Sequence, residues 1–431
     1  MNQLIKGASI YHKGSFRRAD IYITDGIITD IGDNLQPVDN PQIITCPDCF
    51  VLPGFADVHV HFREPGFSYK ETIKNGSLTA AKAGYTAVCL MPNLIPPPDC
   101  PENILIQQEI IDRDAQIECF PYSTITKGRK GRGEMVDLEQ MSKYAIAFTD
   151  DGTGIQDKEL MDKVMKQAAK KKVLIAAHCE DESLLNGGYI HDGEYAAQNG
   201  HKGISSESEY AQVERDIRFA RKYNTKYHVC HISCAETVEL VRRAKAEGLK
   251  VTCETAPHYL TMCDTELEND GRFKMNPPIR SARDRDALIE GIVDGTIEVI
   301  ATDHAPHSKN EKRGGLKDSL MGVVGLETAF PVLYTELVKK GIITLEKLVE
   351  LMSVNPRRIF GLPSALIEKG EKANFCIYRL SSKYTINSEN FVSTGKATPF
   401  EGREVFGQNI ITVLGDKVVW KKTMTDKNGD K

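Results

Sequence analysis

The middle of the chain alternates short apolar segments with helical segments, and this alternation restricts the possible folds more than any other feature. Eight apolar segments have the length of buried strands, and they cover residues 55–61, 86–93, 116–123, 145–150, 173–180, 227–233, 251–256 and 299–304. Stretches with apolar residues at helical spacing separate several of them, for example 157–171 and 235–247, and Gly248 is a plausible stop for the second. Eight strand–helix units predict an α/β fold, a TIM-type (β/α)8 barrel.

The two ends of the chain show a different pattern, with short strands joined by tight turns. Asp25-Gly26 lies between two apolar runs, which is typical of a β-hairpin, and a second tight turn follows at Gly415. We therefore predict one small β-sandwich domain built from residues 1–52 and 365–431. The barrel would then comprise residues 53–364.

Composition gives no sign of a nucleic-acid or membrane partner. The 431 residues carry a formal net charge of −5 and no basic excess. The N-terminus lacks the apolar core of a signal peptide, and no stretch approaches the length of a membrane span. Eleven cysteines, an odd number, indicate reduced thiols, and the Cys46/Cys49 pair is more typical of buried structural cysteines than of a metal site. We expect a soluble, cytoplasmic protein.

Polar side chains recur at the carboxyl ends of the predicted strands. In a barrel these ends meet on one face, where enzymes of this fold place their active sites. A single buried histidine is usually a hydrogen-bonded core residue, but this many histidines and aspartates at strand ends predict a metal site. Imidazole and carboxylate ligands without thiolate favour zinc, with manganese or cobalt as substitutes. The residues are His59, His61, Asn93, Asp150, Asp151, His178, His231 and Asp303.

A series of motifs resembles the long bacterial-type (class I) dihydroorotases of the amidohydrolase superfamily. The first is PGFADVHVHFREPG at 53–66, and the others follow in order along the barrel: MPN at 91–93, TDDG at 149–152, AHCED at 177–181, HIS at 231–233, MNPPIR at 275–280, ATDHAPH at 301–307 and GLET at 325–328. The resemblance extends over roughly residues 1–425. It implies a zinc-dependent cyclic amide hydrolase that interconverts N-carbamoyl-L-aspartate and dihydroorotate.

The resemblance also implies a ligand set for two zinc ions per chain. His59, His61 and Asp303 would bind one ion, His178 and His231 the other, and Asp151 would bridge them. Many related hydantoinases and allantoinases bridge their metals with a carboxylated lysine, and this chain has aspartate in the matching segment. Spacing alone leaves open whether Asp150 or Asp151 is the bridge, and the family pattern favours Asp151.

The same resemblance implies a mechanism and a set of substrate contacts. Hydroxide bound to the metals would attack the amide carbonyl, and Asp303 would move the proton to the departing ring nitrogen. Arg63 would bind the substrate carboxylate, although a surface salt bridge is the alternative for it, and a turn-forming role is the alternative for Asn276. The full set of predicted substrate contacts is His61, Arg63, Asn93, Asn276, His307, Met321 and Gly322.

Two other functions remain as alternatives on the sequence. The chain could be another cyclic amidase, that is, a hydantoinase, dihydropyrimidinase or allantoinase, or a non-catalytic dihydroorotase-like subunit of aspartate transcarbamoylase. Family habit suggests a homodimer, and aspartate transcarbamoylase is a possible partner. The chain departs from the family at MPNLIPPP, residues 91–98, where Leu94 and Ile95 make the loop more apolar. The charged segment 305–315 is a candidate lid.

Overall fold

The computed structural model describes residues 2–37 and 40–422. Its central part contains seven parallel strands that follow the predicted alternation. In the first two, every residue is buried, as expected for strands covered by helices on the outside and by side chains on the inside. Numbered with the rest of the chain, these strands are β6 Phe55–Val60, β7 Tyr85–Leu90, β8 Glu118–Pro121, β9 Leu174–Ala177, β12 Lys226–Val229, β13 Val251–Thr255 and β14 Val299–Ile300.

The predicted fourth strand is present only as a short connection between β8 and β9. Phe148 forms isolated bridges to Ser123 on one side and to Ile175 on the other. The remaining strands pair in the orders β6-β7-β8 and β9-β12-β13-β14. A bridge between Val60 and His304 joins the last strand position to the first, so the barrel is closed.

Helices cover the outside of the barrel, and their ends follow the predicted signals. The helix predicted at 157–171 begins after Asp157, whose side chain accepts hydrogen bonds from the backbone N–H groups of Glu159 and Leu160. Gly248 adopts a φ of +76° just beyond the helix predicted at 235–247. The helices are α1 Ile73–Lys82, α2 Pro101–Asp114, α3 Leu138–Met141, α4 Lys158–Lys171, α5 Glu194–Asn199, α6 Glu207–Tyr223, α7 Ala235–Ala246, α8 Pro257–Thr261, α9 Ala282–Asp294, α10 Gly315–Asp318, α11 Leu326–Leu333, α12 Leu345–Val349 and α13 Asn355–Phe360.

The two ends of the chain form one eight-stranded sheet beside the barrel. The hairpin predicted at Asp25-Gly26 is present, with both residues at positive φ, and it joins β2 to β3. Strand β5 pairs with β15 and thereby connects the N-terminal strands to the C-terminal ones. The strands are β1 Gln3–His12, β2 Ser15–Thr24, β3 Ile27–Gly32, β4 Gln42–Thr45, β5 Phe50–Pro53, β15 Asn374–Thr385, β16 Glu404–Leu414 and β17 Lys417–Lys421, while β10 Ile190–His191 and β11 Gly203–Ile204 form a separate pair.

The cysteines include one close pair. Cys46 and Cys49 are both buried at a turn after β4, and their sulfur atoms are in contact. Their burial agrees with the prediction of buried structural cysteines. The other nine cysteines are free thiols. Within residues 2–37 and 40–422, none of the helices is long and apolar enough to cross a membrane.

Candidate metal centre and active-site cavity

The six predicted metal ligands converge at the carboxyl ends of the barrel strands. His59 is the penultimate residue of β6, His61 directly follows the strand, and Asp303 lies three residues after β14. Asp151, His178 and His231 come from the neighbouring fourth, fifth and sixth strand positions. All six side chains are buried.

These residues form two groups that share one carboxylate. The ligand atoms of His59, His61 and Asp151 lie within 4.8 Å of one another, and the same holds for Asp151, His178 and His231. Asp151 Oδ1 lies 3.4 Å from His59 Nε2 and 3.5 Å from His231 Nε2, while Asp151 Oδ2 lies 3.6 Å from His61 Nε2. Two ligands at about 2.0–2.1 Å from a tetrahedral zinc ion are about 3.4 Å apart, so these spacings suit a divalent cation.

Unpartnered polar atoms in the cluster also fit bound cations. His59 Nε2 and Asp151 Oδ1 face each other at 3.4 Å, are buried, and have no hydrogen-bond partner among the described residues. Such atoms are costly in a protein interior unless another group satisfies them. The residues present therefore fit the metal groups that the sequence predicts.

The two neighbouring aspartates in TDDG have different surroundings. Asp150 accepts hydrogen bonds from the backbone N–H groups of Ile125, Thr126 and Gly131, and also from the Thr126 hydroxyl. Its carboxylate therefore holds the 125–131 loop in place. Asp151 belongs to both histidine groups instead, so the geometry favours Asp151 as the shared ligand, a distinction that spacing alone did not make.

Asp303 combines a strained backbone with a carboxylate that remains ionised. Asp303 and His231 both have positive φ values, +48° and +34°, which are uncommon for side-chain-bearing residues and concentrate at functional sites. Burial raises the pKa of Asp303, but the hydrogen bond with His61 and the nearby histidines outweigh burial and hold it at about 2. The hydrogen bond joins His61 Nε2 to Asp303 Oδ1 at 3.0 Å.

A buried glutamate behind His59 was missed by sequence reasoning. Glu254 in β13 contacts His59 Nδ1 at 2.7 Å with one oxygen and His228 Nε2 at 3.0 Å with the other. A carboxylate on the second ring nitrogen fixes the orientation of a metal-binding histidine. His228 is thereby linked to His59 through the Glu254 carboxylate. The sequence signal for Glu254 was its position as a single acidic residue within a buried strand.

The predicted substrate contacts line one cavity of about 210 Å³ together with the metal group. Arg63 is buried and donates from Nε to the Pro306 carbonyl oxygen at 3.3 Å. Burial lowers the pKa of Arg63 to about 10, so its guanidinium stays charged at neutral pH. The cavity is lined by His61, Arg63, Asn93, Asp151, Gly152, His178, His231, Asn276, Asp303, Ala305, His307, Met321 and Gly322.

Asn93 and Asn276 each have one amide atom in use and one unused. Asn93 Nδ2 donates to the Asp151 carbonyl oxygen at 2.9 Å, and Asn276 Nδ2 donates to Glu180 Oε1 at 2.9 Å. The Oδ1 atoms of both residues are buried and have no partner among the described residues. Each amide therefore has an acceptor that is free for a ligand group in the cavity.

Two buried lysines fix the other wall of the cavity. Lys70 Nζ lies 3.1 Å from His307 Nδ1, and His307 Nε2 lies 2.8 Å from the Met321 carbonyl oxygen. Burial, followed by the charges of Arg63 and Lys70, lowers the pKa of His307 to about 3, so its ring is neutral. Lys312 donates to the carbonyl oxygens of Leu320 and Gly322, both at 2.7 Å. These bonds tie segment 305–315 to 320–322, and its movement as a lid stays a prediction.

Comparison with known proteins agrees with the motifs. A family model described as dihydro-orotase-like matches residues 49–237. A curated dihydroorotase of Fusobacterium nucleatum is 46% identical over 418 residues, which is 97% of this chain and 98% of that protein. The chain belongs to the dihydroorotase family. A second member, the dihydroorotase of Bacillus cereus strain AH820, is 43% identical over 98% of this chain and 99% of its own length.

Solved structures place this dihydroorotase-family fold among the cyclic amidases. An L-hydantoinase (dihydropyrimidinase) from Arthrobacter aurescens superposes with a TM-score of 0.88 at 25% identity, over 98% of this chain and 96% of that one. A D-hydantoinase gives a TM-score of 0.86 at 22% identity, over 98% and 95%. The predicted fold, a TIM-type barrel with a β-sandwich of both termini, is confirmed.

Proposed function

We propose that the protein catalyses the reversible, zinc-dependent interconversion of N-carbamoyl-L-aspartate and (S)-dihydroorotate in pyrimidine biosynthesis. Membership of the dihydroorotase family supports this proposal. The single observation that carries it is one cavity in which Asp151 is shared between two histidine groups and a buried, charged Arg63 lies beside them.

We assign the six buried ligands to two zinc ions per chain, with Asp151 as the bridge. The assignment rests on the shared position of Asp151, on the unpartnered His59 Nε2 and Asp151 Oδ1, and on the absence of a thiolate from both groups. Two divalent cations, when bound, supply Lewis acidity and make a water molecule a usable nucleophile at neutral pH.

Asp303 is the proposed general acid and base. Its low pKa makes it a carboxylate at neutral pH, which can accept a proton during hydrolysis. The same residue then returns that proton to the departing ring nitrogen, and His61 holds the carboxylate in position through the 3.0 Å hydrogen bond. In the biosynthetic direction one carboxylate of carbamoyl aspartate is consumed, together with one proton, and water is released. Acid therefore favours ring closure and alkali favours hydrolysis.

The remaining lining residues are proposed to bind the substrate. Arg63 offers a planar guanidinium to the ring carboxylate, and Asn93 assists it with the second N–H of its Nδ2. Asn276, through its free Oδ1, is assigned to the ring, and His307 with the backbone of Met321 and Gly322 forms the opposite wall. Hydantoins and dihydropyrimidines lack the carboxylate, so Arg63 has no role for them.

The wider assignments follow from the family and stay proposals. We propose the domain limits 1–52 with 365–431 and 53–364, a homodimer, and the cytoplasm as the location, the last supported by the nine free thiols. Association with an aspartate transcarbamoylase is also an expectation from the resemblance. A purely non-catalytic role is disfavoured because all six ligands are present.

A substrate panel tests the proposal. The purified, zinc-loaded protein is incubated separately with dihydroorotate, hydantoin, dihydrouracil and allantoin, and ring opening is followed for each. We expect turnover of dihydroorotate and at least 100-fold slower reaction of the three neutral rings, since a buried, unpaired guanidinium costs a few kcal/mol. Faster opening of any neutral ring would overturn the substrate assignment.

A further inference from the structure

A second cavity adjoins the catalytic one, and nothing in the proposed mechanism uses it. Its volume is about 450 Å³, and it shares Arg63 and Asn93 with the catalytic cavity. We name it the adjoining cavity. Its other lining residues are Phe67, Lys70, Leu94, Ile95, Pro97, Gly128 and Arg129.

Positive charge in the adjoining cavity exceeds the negative charge that pairs with it. Among the described residues, neither Arg63 nor Arg129 has a carboxylate within 4.0 Å, whereas Lys70 is paired with Glu311 at 3.0 Å. Asp99 is the nearby acid on the Arg129 side, and its carboxylate accepts hydrogen bonds from Gly128 N and Asn103 Nδ2. Two guanidinium groups therefore lack an anionic partner in the described part of the chain.

The position of Arg129 is fixed by the catalytic site itself. Its Nη1 donates to the Asp151 carbonyl oxygen at 2.5 Å and to Thr153 Oγ1 at 2.9 Å. The loop that carries it is held by the Asp150 carboxylate, and Arg129 has a φ of +55°. A residue held in this way is preorganised to receive an anion rather than free to fold away from it.

The rest of the wall includes the segment in which this chain departs from its family. Leu94 is buried, Ile95 is exposed, and both line the adjoining cavity beside Phe67. An apolar wall lowers the local dielectric constant, which strengthens the attraction between a guanidinium group and an anion.

We propose that Arg129, which lines the adjoining cavity together with the shared Arg63, supplies a positive potential that favours the open-chain dicarboxylate over the cyclic monocarboxylate. The proposal rests on the proposed function, because only the open-chain form of that substrate pair carries two carboxylates. Coulomb attraction is proportional to ligand charge, so the positive potential from Arg129 acts twice as strongly on a dianion as on a monoanion. Removal of Arg129 therefore changes the logarithm of the binding constant twice as much for a dicarboxylate.

The test uses succinate and propionate as non-reactive probes of the zinc-loaded protein. Inhibition constants against dihydroorotate hydrolysis are measured for wild type, Arg129→Met, Arg129→Lys and the control Lys130→Met, which removes the same charge from an exposed neighbour on the same loop. In Arg129→Met we expect the constant to rise about tenfold for succinate and about threefold for propionate. We expect Lys130→Met to leave the inhibition constants of both anions within twofold of wild type. Arg129→Lys should keep most of the preference for succinate over propionate.

Other outcomes overturn the proposal in identifiable ways. Equal changes for both anions, or no change, remove Arg129 from anion binding. A loss of bound metal and of kcat in Arg129→Met, with unchanged inhibition constants, would assign Arg129 only to the positioning of Asp151. Calorimetric titration of both anions into the same proteins keeps the test independent of turnover. If dihydroorotate is not hydrolysed, the proposed function is wrong. The calorimetry still shows whether Arg129 contributes to anion binding.

Discussion

Two groups of residues in the catalytic cavity differ in how their polar atoms are satisfied. The metal group, defined as the six predicted ligands, leaves His59 Nε2 and Asp151 Oδ1 buried without a partner among the described residues. The carboxylate group, defined as the remaining predicted substrate contacts, is held mostly by hydrogen bonds to the backbone, as with Arg63 to Pro306 and His307 to Met321. The first arrangement leaves atoms that face the shared carboxylate without partners, whereas the second is oriented by contacts within the protein and keeps the Oδ1 atoms of Asn93 and Asn276 free for a ligand.

This difference predicts that substitutions in the two groups have separable effects. Changes in the metal group should alter metal content or turnover while leaving carboxylate recognition intact. Changes in the carboxylate group should alter the KM while leaving the metals bound.

Asp303→Asn should give the largest effect, because it removes the proposed proton carrier. We expect kcat for dihydroorotate hydrolysis to fall about 10³-fold, with dihydroorotate binding within tenfold of wild type by calorimetry. Asp318→Asn, an exposed carboxylate on the same face of the barrel, is the control and should behave as wild type. Activity within tenfold of wild type in Asp303→Asn would exclude Asp303 as the acid and base.

Arg63→Met tests the carboxylate group and should give the second-largest effect. The KM for dihydroorotate should rise about 100-fold, since a buried charge pair with the substrate is lost, while zinc content stays unchanged. The exposed Arg313→Met is the matched control. A simultaneous loss of zinc would show that the two groups are not separable.

Glu254→Gln tests the contact behind His59. Zinc affinity should fall about 10- to 100-fold, because the amide no longer fixes the ring of His59, and the KM of the metal-saturated enzyme should stay the same. Competition with a chelator measures the affinity, and Glu247→Gln on the surface is the control. Unchanged zinc affinity contradicts a positioning role for Glu254.

Asp150→Asn should give the smallest effect on the chemistry. Asp150 holds the 125–131 loop, so we expect a loss of about 2 kcal/mol in the free energy of unfolding with both metals retained. Asp151→Asn should instead lose metal and activity together. Loss of metal from Asp150→Asn, with Asp151→Asn still loaded, would reverse the assignment of the bridging residue.

Much of this arrangement could be predicted from the sequence because the relevant signals are local. Strand alternation and turn residues predicted the barrel, the polar ends of the strands predicted a metal site, and the family resemblance implied its ligand set. Asp25-Gly26 specified its hairpin through residues that tolerate positive φ. These features depend on neighbours in the chain and need no tertiary information.

The features that were missed depend on contacts between distant residues. Glu254 lies 195 positions from His59, and no spacing rule relates them. Arg129 reaches the site because Asp150 folds its loop back toward Asp151, and residue spacing alone did not distinguish the two aspartates. The fourth strand was predicted at full length, but only a bridge at Phe148 forms, because the chain turns at once into the TDDG loop.

The central claim is that the shared carboxylate and its two histidine groups hold two cations on which turnover depends. The most direct test is to remove metal from the wild-type protein with a chelator and to titrate zinc back while dihydroorotate hydrolysis and bound zinc are measured on the same sample. We predict no turnover without metal and full turnover at two zinc ions per chain. Full turnover of the metal-free protein, or saturation of turnover at one ion per chain, would contradict the claim.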